Sequence, residues 1–440
     1  MKQIKILAKE FLGDVESAKR STEGGDLSVL LLERWFSKLG VWWVLHVADG
    51  TPSGEVEHAL DASSLFPAFT KIVNTFRGTL KLLHGHGYTV NTSAEEEQPA
   101  AKEWLPLASF TQQAMLKMLT FVDSIVVPNL TRESFIVDDG VPAPAPYKLH
   151  NLLRVHEALS QAFSILSALD SSSSAKIARI QGGIVNLLSA KEGKVGEAIW
   201  SALEEIRTRI VESLDDGQGL SCTQTPQGSS DIDEATKSVM EYVMFLDNYY
   251  SIVEPIVSKA SSLGRYVPQI GDVPPLTSLE VKMVYRLLEK LANKSEAFPD
   301  QGLRFLFLLN NSSYIVDQLC VLDFPQYYRE DLGGKVEGYT KRYIRVSWEP
   351  VLSCLINPTP TCFGKNHSPL PKFESEFQKI YTTQKLWKVP HPELRIRLRK
   401  AIIDEVIPCY TRCLADDYGN APPKFSPSNL QEMLQELFEG

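Results

Sequence analysis

Apolar side chains in this chain recur at steps of three and four residues, and sustained alternation at a step of two is scarce. Leu31, Trp35, Leu39 and Trp42 or Trp43 form one such stripe, and Leu279, Met283, Leu287 and Leu291 form another. A step near 3.6 residues puts these side chains on one face of an α-helix, whereas a half-buried strand needs every second residue apolar. The strand-like runs are short, at Tyr88-Thr-Val-Asn and Phe135-Ile-Val, and neither has a convincing partner. The chain therefore reads as all-α. Residues 303–309, Leu-Arg-Phe-Leu-Phe-Leu-Leu, are apolar nearly all round, which predicts a helix at the centre of its bundle.

The breaks between helices are clear. Residues 91–103 hold Ser, Glu and Pro, and Asp138 to Pro146 carries a proline at every other position near its end. Proline lacks an amide donor and forces extended backbone on its neighbour, so that stretch is not helical. Ser171 to Ser174 is a polar hinge, and residues 215–231 are rich in Gly, Ser, Thr, Gln and Pro, which predicts a mobile loop. Further loops fall at 264–275, 357–371 and 418–427. The intervals leave room for about twelve helices, and no fixed-period repeat is visible. With 43% apolar residues the 440-residue chain can bury a continuous core. The expected architecture is an elongated rod of consecutive antiparallel helical bundles, divided into 1–146, 147–275, 276–371 and 372–440. Pro255 and Pro408 fall inside helical patterns and should kink or end their helices. Pro392, followed by Glu393, suits a first helical turn, where no amide is needed and an acid favours the positive end of the dipole.

Several function classes are disfavoured. A net charge of −9 opposes general nucleic-acid binding. The six cysteines include no Cys-x-x-Cys pair, the expectation for a reduced, cytoplasmic chain. The most apolar region, 27–48, is interrupted by Glu33, Arg34 and Lys38, so membrane contact is expected to be peripheral. The Asn-x-Ser/Thr matches at Asn129 and Asn310 are then accidental. His84-Gly-His86-Gly has no Cys or carboxylate cluster at ligand spacing beside it, and Cys409 and Cys413, four apart, suit a buried helix face; no metal or cofactor is expected. An all-α isoprenoid synthase would need an Asp-Asp-x-x-Asp run, and the pairs Asp138-Asp139, Asp215-Asp216 and Asp416-Asp417 do not extend into one. Phosphate-loop and nucleophile-elbow motifs are also missing, so no enzymatic activity is expected.

The candidate surface is basic. Lys379, Lys385, Lys388, Arg395, Arg397, Arg399 and Lys400 stand against Glu393, Asp404 and Glu405. Clustered cations attract anionic headgroups at about 1 kcal/mol each near a surface. At about 100° per residue, Arg395 and Arg399 lie on one flank of their helix and Arg397 and Lys400 on the other. Glu393 can pair with Arg397 and Asp404 with Lys400, in which case the cations form a solvated, partly paired face that rims an apolar stripe. Both readings stay open on the sequence.

A set of motifs adds to this. Phe373-Glu-Ser-Glu-Phe-Gln-Lys-Ile-Tyr381 leads through Pro390-His-Pro392 into Leu394-Arg-Ile-Arg-Leu-Arg-Lys-Ala-Ile-Ile403 and Val406-Ile-Pro-Cys-Tyr410, and the chain closes with Leu437-Phe-Glu-Gly440. Lys148-Leu-His-Asn-Leu-Leu, Ala235-Thr-Lys-Ser-Val-Met240, Leu306-Phe-Leu-Leu-Asn-Asn311 and Trp348-Glu-Pro-Val-Leu352 precede it. In this order the segments resemble the plant members of the Exo-seventy family, a subunit of the exocyst vesicle-tethering complex, over about residues 100 to 440. His156 stands where that family has a Tyr. The resemblance implies a helical, non-enzymatic tether for secretory vesicles, located in the cytoplasm and peripherally at the plasma membrane. It implies other exocyst subunits and a phosphoinositide-containing membrane as partners, with a Rho-type small GTPase as a further one. The lipid-binding residues it implies are Arg395, Arg397, Arg399 and Lys400, with Lys388 and Lys385 beside them. The family's long amino-terminal helical segment is not found, which favours a shortened chain or a specialised domain, the kind bound by a pathogen effector in plant immunity. A helical scaffold with other partners is the remaining alternative.

Overall fold

The computed structural model describes residues 13, 27–38, 62–85, 99–126, 147–169, 175–215, 230–322, 324–356, 368–416 and 423–440. Among these residues the architecture is all-α, with one isolated antiparallel bridge between Lys388 and Glu439. The strand-like runs at 88 and 135, the apolar run 39–47, His86, the serine hinge and the proline-rich segment lie outside the described residues. The chain divides into two compact units, one of residues 1–133 with 146–205 and one of 134–145 with 206–440.

The first unit contains α1 (Leu27–Lys38), α2 (Ala62–Gly85), α3 (Pro99–Val126), α4 (Tyr147–Ser167) and most of α5 (Ala175–Asp215). Helix α2 packs on α3 and α4. Its heptad-like Ile72, Phe76 and Leu80 are buried, as are Met115 and Leu119 of α3 and Leu152 and Leu159 of α4. Buried threonines on these helices bond back to carbonyls of their own helix, Thr79 to Thr75 at 2.8 Å and Thr111 to Ala108 at 3.0 Å. The side-chain amide of Gln181 donates to the carbonyl of Leu166 in the last turn of α4 (3.1 Å) and to that of Leu169 just past its end (3.2 Å). Burial lowers the pKa of His156 and so favours its neutral form.

The second unit contains α6 (Glu234–Asn248), α7 (Tyr250–Ser262), α8 (Pro275–Ser295), α9 (Gln301–Leu319), α10 (Gln326–Ser347), α11 (Glu349–Ile356), α12 (Leu370–Gln384), α13 (Pro392–Asp416) and α14 (Pro427–Gln435). Short turns join α8 to α9 and α9 to α10, and the helices of each pair pack on one another, α9 and α10 most extensively. The break between α6 and α7 falls at Tyr249, about a turn and a half before Pro255, on the side where a proline ring crowds the carbonyl four residues back. Helix α13 runs through Pro408 without a break.

Helix α9 is the centre of this unit. Leu303, Leu306, Phe307, Leu308 and Leu309 are buried, and α9 meets α6, α8 and α10. Its N-terminus is capped by Asp300, whose carboxylate accepts the amide of Leu303 at 2.9 Å. The adjacent Asn310 and Asn311 are its buried polar pair. Asn311 accepts from the Asp233 amide (2.8 Å) and from the Thr236 hydroxyl (2.7 Å), and donates to the carbonyl of Phe307 (2.9 Å). Asn310 donates to the carbonyls of Ser230 (2.6 Å) and Lys388 (2.9 Å). Asp233 in turn caps α6 by accepting the amide of Ala235, and it pairs with Lys294 of α8 at 2.5 Å.

A carboxyl group is buried where α8 meets α6 and α7. Glu280 is 6% exposed, and its Oε1 has no hydrogen-bond partner. Burial, with the charges of Asp247 and Glu254, pushes its pKa up to about 8. Glu254 is itself committed to the start of α8, accepting the amide of Leu276 at 3.0 Å. Between the unfolded value of 4.5 and the folded value near 8, the folded chain keeps a proton that the unfolded chain has lost. The contribution of Glu280 to stability is therefore complete below the unfolded value and is lost as pH rises through the folded one. Glu280→Gln should unfold at higher urea than the parent at pH 8.5, by more than about 1 kcal/mol, and the gap should shrink at pH 4.5. Equal gaps at the two pH values would contradict this.

A candidate anion-binding surface at the carboxyl-terminal helix

The basic residues cluster on and before α13, and the local sequence explains how they are presented. His391 accepts the amide of Leu394 on its Nδ1 at 3.3 Å, Pro392 opens the helix and Glu393 lies in its first turn. Leu394, Leu398, Ile402, Val406 and Tyr410 are buried at four-residue steps, so one face of α13 lies on its core. That core contains Trp348, Phe373, Phe377 and Phe438. Phe373 stacks on Tyr410 with 5.0 Å between ring centres, and Tyr343 meets Phe438 edge-on at 6.1 Å. The buried phenol of Tyr343 donates to Gln384 (2.6 Å) and accepts from Trp348 Nε1 (3.3 Å), and burial holds its pKa well above the ordinary tyrosine value. Burial also pushes Tyr410 up to about 12, and its hydroxyl donates to the carbonyl of Phe425 at 2.8 Å.

The end of the chain returns to this surface. The capping box of Ser426 and Asn429 starts α14, after which Leu437 and Phe438 are fully buried. Phe438 takes φ 66°, a left-handed conformation that is unusual for an aromatic residue and is held here by burial of the ring. This turn points Glu439 at the flank of α13. Its carboxylate pairs with Arg399 at 2.7 Å and with Arg395 at 3.3 Å. The guanidinium of Arg399 also donates from Nε and Nη2 to the carbonyl of Leu437, 2.8 Å from Nε. Lys385 pairs with Glu436 at 2.6 Å, and the Tyr381 hydroxyl donates to the same carboxylate at 2.6 Å. Lys388 lies 3.5 Å from Asp231, and its main chain bonds Ser230 through both its amide (3.1 Å) and its carbonyl (2.6 Å). The hydrogen bond from Arg399 first, and the charge of Arg395 with it, hold Glu439 below the usual carboxylate range; the bond from Lys385 does the same for Glu436.

The six sequence-predicted cations thus fall into two groups. Lys385, Lys388, Arg395 and Arg399 hold acids of the chain itself, while Arg397 and Lys400 are exposed and make no ion pair among the described residues. The two flanks of α13 separate as its angular spacing predicts. The suggested pairs Glu393–Arg397 and Asp404–Lys400 do not form among the described residues; an exposed i,i+4 pair gains only about 0.3–0.5 kcal/mol, so the spacing by itself does not decide whether one forms. Arg397 and Lys341 line a groove of about 210 Å³ between α10 and α13, with Val336, Glu337, Thr340, Leu394 and Leu398. Sequence reasoning missed the role of Glu436 and Glu439, although Glu439 stands in the closing motif and Glu436 directly before it. Among the described residues no group of His, Cys, Asp and Glu is arranged to hold a metal ion, and no helix is long and apolar enough to cross a membrane. Cys354 is buried and Cys409 and Cys413 partly so, none of them in a disulfide; Cys222 and Cys362 lie outside the described residues.

The family model for the carboxyl-terminal region of Exo70, an exocyst complex subunit, matches residues 99–436. The chain belongs to this family. Among curated Exo70 relatives, the Arabidopsis thaliana exocyst complex component EXO70A3 is 28% identical over 245 residues, covering 50% of this chain and 40% of that protein. The Arabidopsis component EXO70C1 is 24% identical over 326 residues, covering 67% and 47%. The chain spans less than half the length of these two relatives. A solved structure of S. cerevisiae Exo70 aligns with 99% of this chain and 80% of its own, at 15% identity and a TM-score of 0.47.

The closing aromatic is expected to hold the surface together. Phe438→Ala should cost about 3–5 kcal/mol in urea unfolding, within the range for emptying a buried aromatic site. A loss below about 1 kcal/mol would mean that the terminal segment is not packed as described.

Proposed function

We propose that this chain is a non-enzymatic exocyst component that helps tether secretory vesicles at the plasma membrane. The observation that carries this reading is the match of the Exo70 carboxyl-terminal family model to residues 99–436. The work is recognition: one surface binds other exocyst subunits, and another engages anionic phosphoinositide headgroups. The relatives named above are described as exocyst components, which supports the first partner class. The lipid contact rests on the exposed, unpaired Arg397 and Lys400, with Lys341 across the groove. Two charges at a headgroup surface contribute about 1 kcal/mol each, a weak, salt-sensitive attachment that suits a peripheral protein acting with partners. The chain as a whole carries a net charge of −9, which opposes non-specific adhesion and leaves binding to this face.

Sedimentation with vesicles containing phosphatidylinositol 4,5-bisphosphate tests the lipid reading. The double variant Arg397→Glu, Lys400→Glu should bind about tenfold to a hundredfold more weakly than the parent at low salt. Unchanged binding would reject these two residues as the lipid contact. Co-purification of the tagged chain with other exocyst subunits from plant extract is the matching test of the tether, and failure to recover them would count against it.

A further inference from the structure

We infer that Glu439 is an intramolecular competitor: its carboxylate occupies an anion site built by Arg395 and Arg399, and an incoming phosphomonoester displaces it. This deepens the lipid reading above and rests on it. The two guanidiniums converge on one carboxylate, at 3.3 Å and 2.7 Å, and are mostly covered, at 23% and 15% exposure, while the Glu439 side chain over them is 59% exposed. The cations are thus held in place from below, and the anion sits on the solvent side, where it can be exchanged.

The parts of the site differ in how firmly they are fixed. Arg399 is anchored independently of Glu439 by the two bonds to the Leu437 carbonyl. The main chain of Glu439 is pinned by its bridge to Lys388 and by the buried Phe438 ring before it. Only the Glu439 carboxylate is free to leave, by side-chain rotation, and no refolding of the terminal segment is needed. A phosphomonoester carries a charge of about −1.5 to −2 and three acceptor oxygens, so it can span both guanidiniums more strongly than a single carboxylate. Arg397 and Lys400 on the other flank would make the first electrostatic contact, and Arg395 and Arg399 would become available at the second step. The surface is then graded, with weak attraction to any anionic bilayer and tighter holding where a phosphomonoester can replace Glu439.

The test uses Glu439→Gln, which keeps the size of the side chain and removes the competing charge. Glu432→Gln is the control, because Glu432 is an exposed acid on α14 with no ion pair among the described residues. The parent and both variants are titrated with vesicles containing phosphatidylinositol 4,5-bisphosphate and, separately, with soluble inositol 1,4,5-trisphosphate. Glu439→Gln should bind vesicles about threefold to tenfold more tightly than the parent, the scale of releasing two partly exposed ion pairs, and Glu432→Gln should not. Adding Arg395→Gln to Glu439→Gln should cancel the gain. A gain with the soluble headgroup as well would assign the site to the phosphomonoester itself, and a gain with vesicles alone would assign it to the headgroup at a bilayer; either supports the inference. Binding by the parent with no gain in Glu439→Gln, or an equal gain in Glu432→Gln, would overturn it and leave the lipid reading standing. No binding by any variant would overturn both.

Discussion

Two neighbouring amides, buried directly after the apolar run of the central helix α9, organise the second unit. Asn311 ties α9 to the start of α6, and Asn310 ties it to the carbonyls of Ser230 and Lys388. Deep in a core, a backbone carbonyl left without a donor costs about 1–3 kcal/mol, so these contacts fix where each segment crosses α9. Apolar packing alone would not choose the register. The Lys388 junction then carries the constraint outward, because the next amide, that of Val389, bonds to the carbonyl of Phe438 at 3.3 Å. Through this chain of contacts, a polar pair in the core sets the position of the terminal segment over α13.

That position decides the electrostatics of the basic surface. A count of cations suggests six charges facing an anionic partner, but four of them hold acids of the same chain. The residual field comes from the opposite flank of α13 and from Lys341 on α10. The paired face that the sequence suggested is thus one flank of α13, and the other flank carries Arg397 and Lys400 without an ion pair among the described residues. The paired side is also the better built one, since the Arg399 guanidinium is oriented by the Leu437 carbonyl as well as by charge.

The helices were legible in the sequence because their signals are local. The stripe Leu279, Met283, Leu287, Leu291 is buried, and the all-round apolar run at 303–309 is the central helix. Pro392 opens α13, as its position before Glu393 suggests. The terminal pairing was not legible, because Arg395 and Arg399 find their acid about forty residues away, whereas charge spacing along a helix draws attention to Glu393, only four residues from Arg397. Asn310 and Asn311 directly follow the apolar run, and nothing local to them marks their role. Their partners lie 75 to 80 residues away, except for the Lys388 carbonyl at 78 in the other direction and Phe307 within α9 itself, and only the fold joins them. The buried carboxyl of Glu280 occupies a helix position that local pattern alone reads as an ordinary polar site.

Native-state hydrogen exchange on an Asn310→Leu variant tests the organising role of the amide pair most directly. Loss of the side-chain amide takes the Asn310 donor from the Ser230 carbonyl and leaves the Lys388 carbonyl with the Ser230 hydroxyl alone, while the volume is nearly kept. The amides of Lys388 and Val389 should then exchange about tenfold faster or more, while those of α4 in the first unit keep their protection. Unchanged protection at Lys388 and Val389 would contradict the account, because the terminal segment would then be held in place without Asn310.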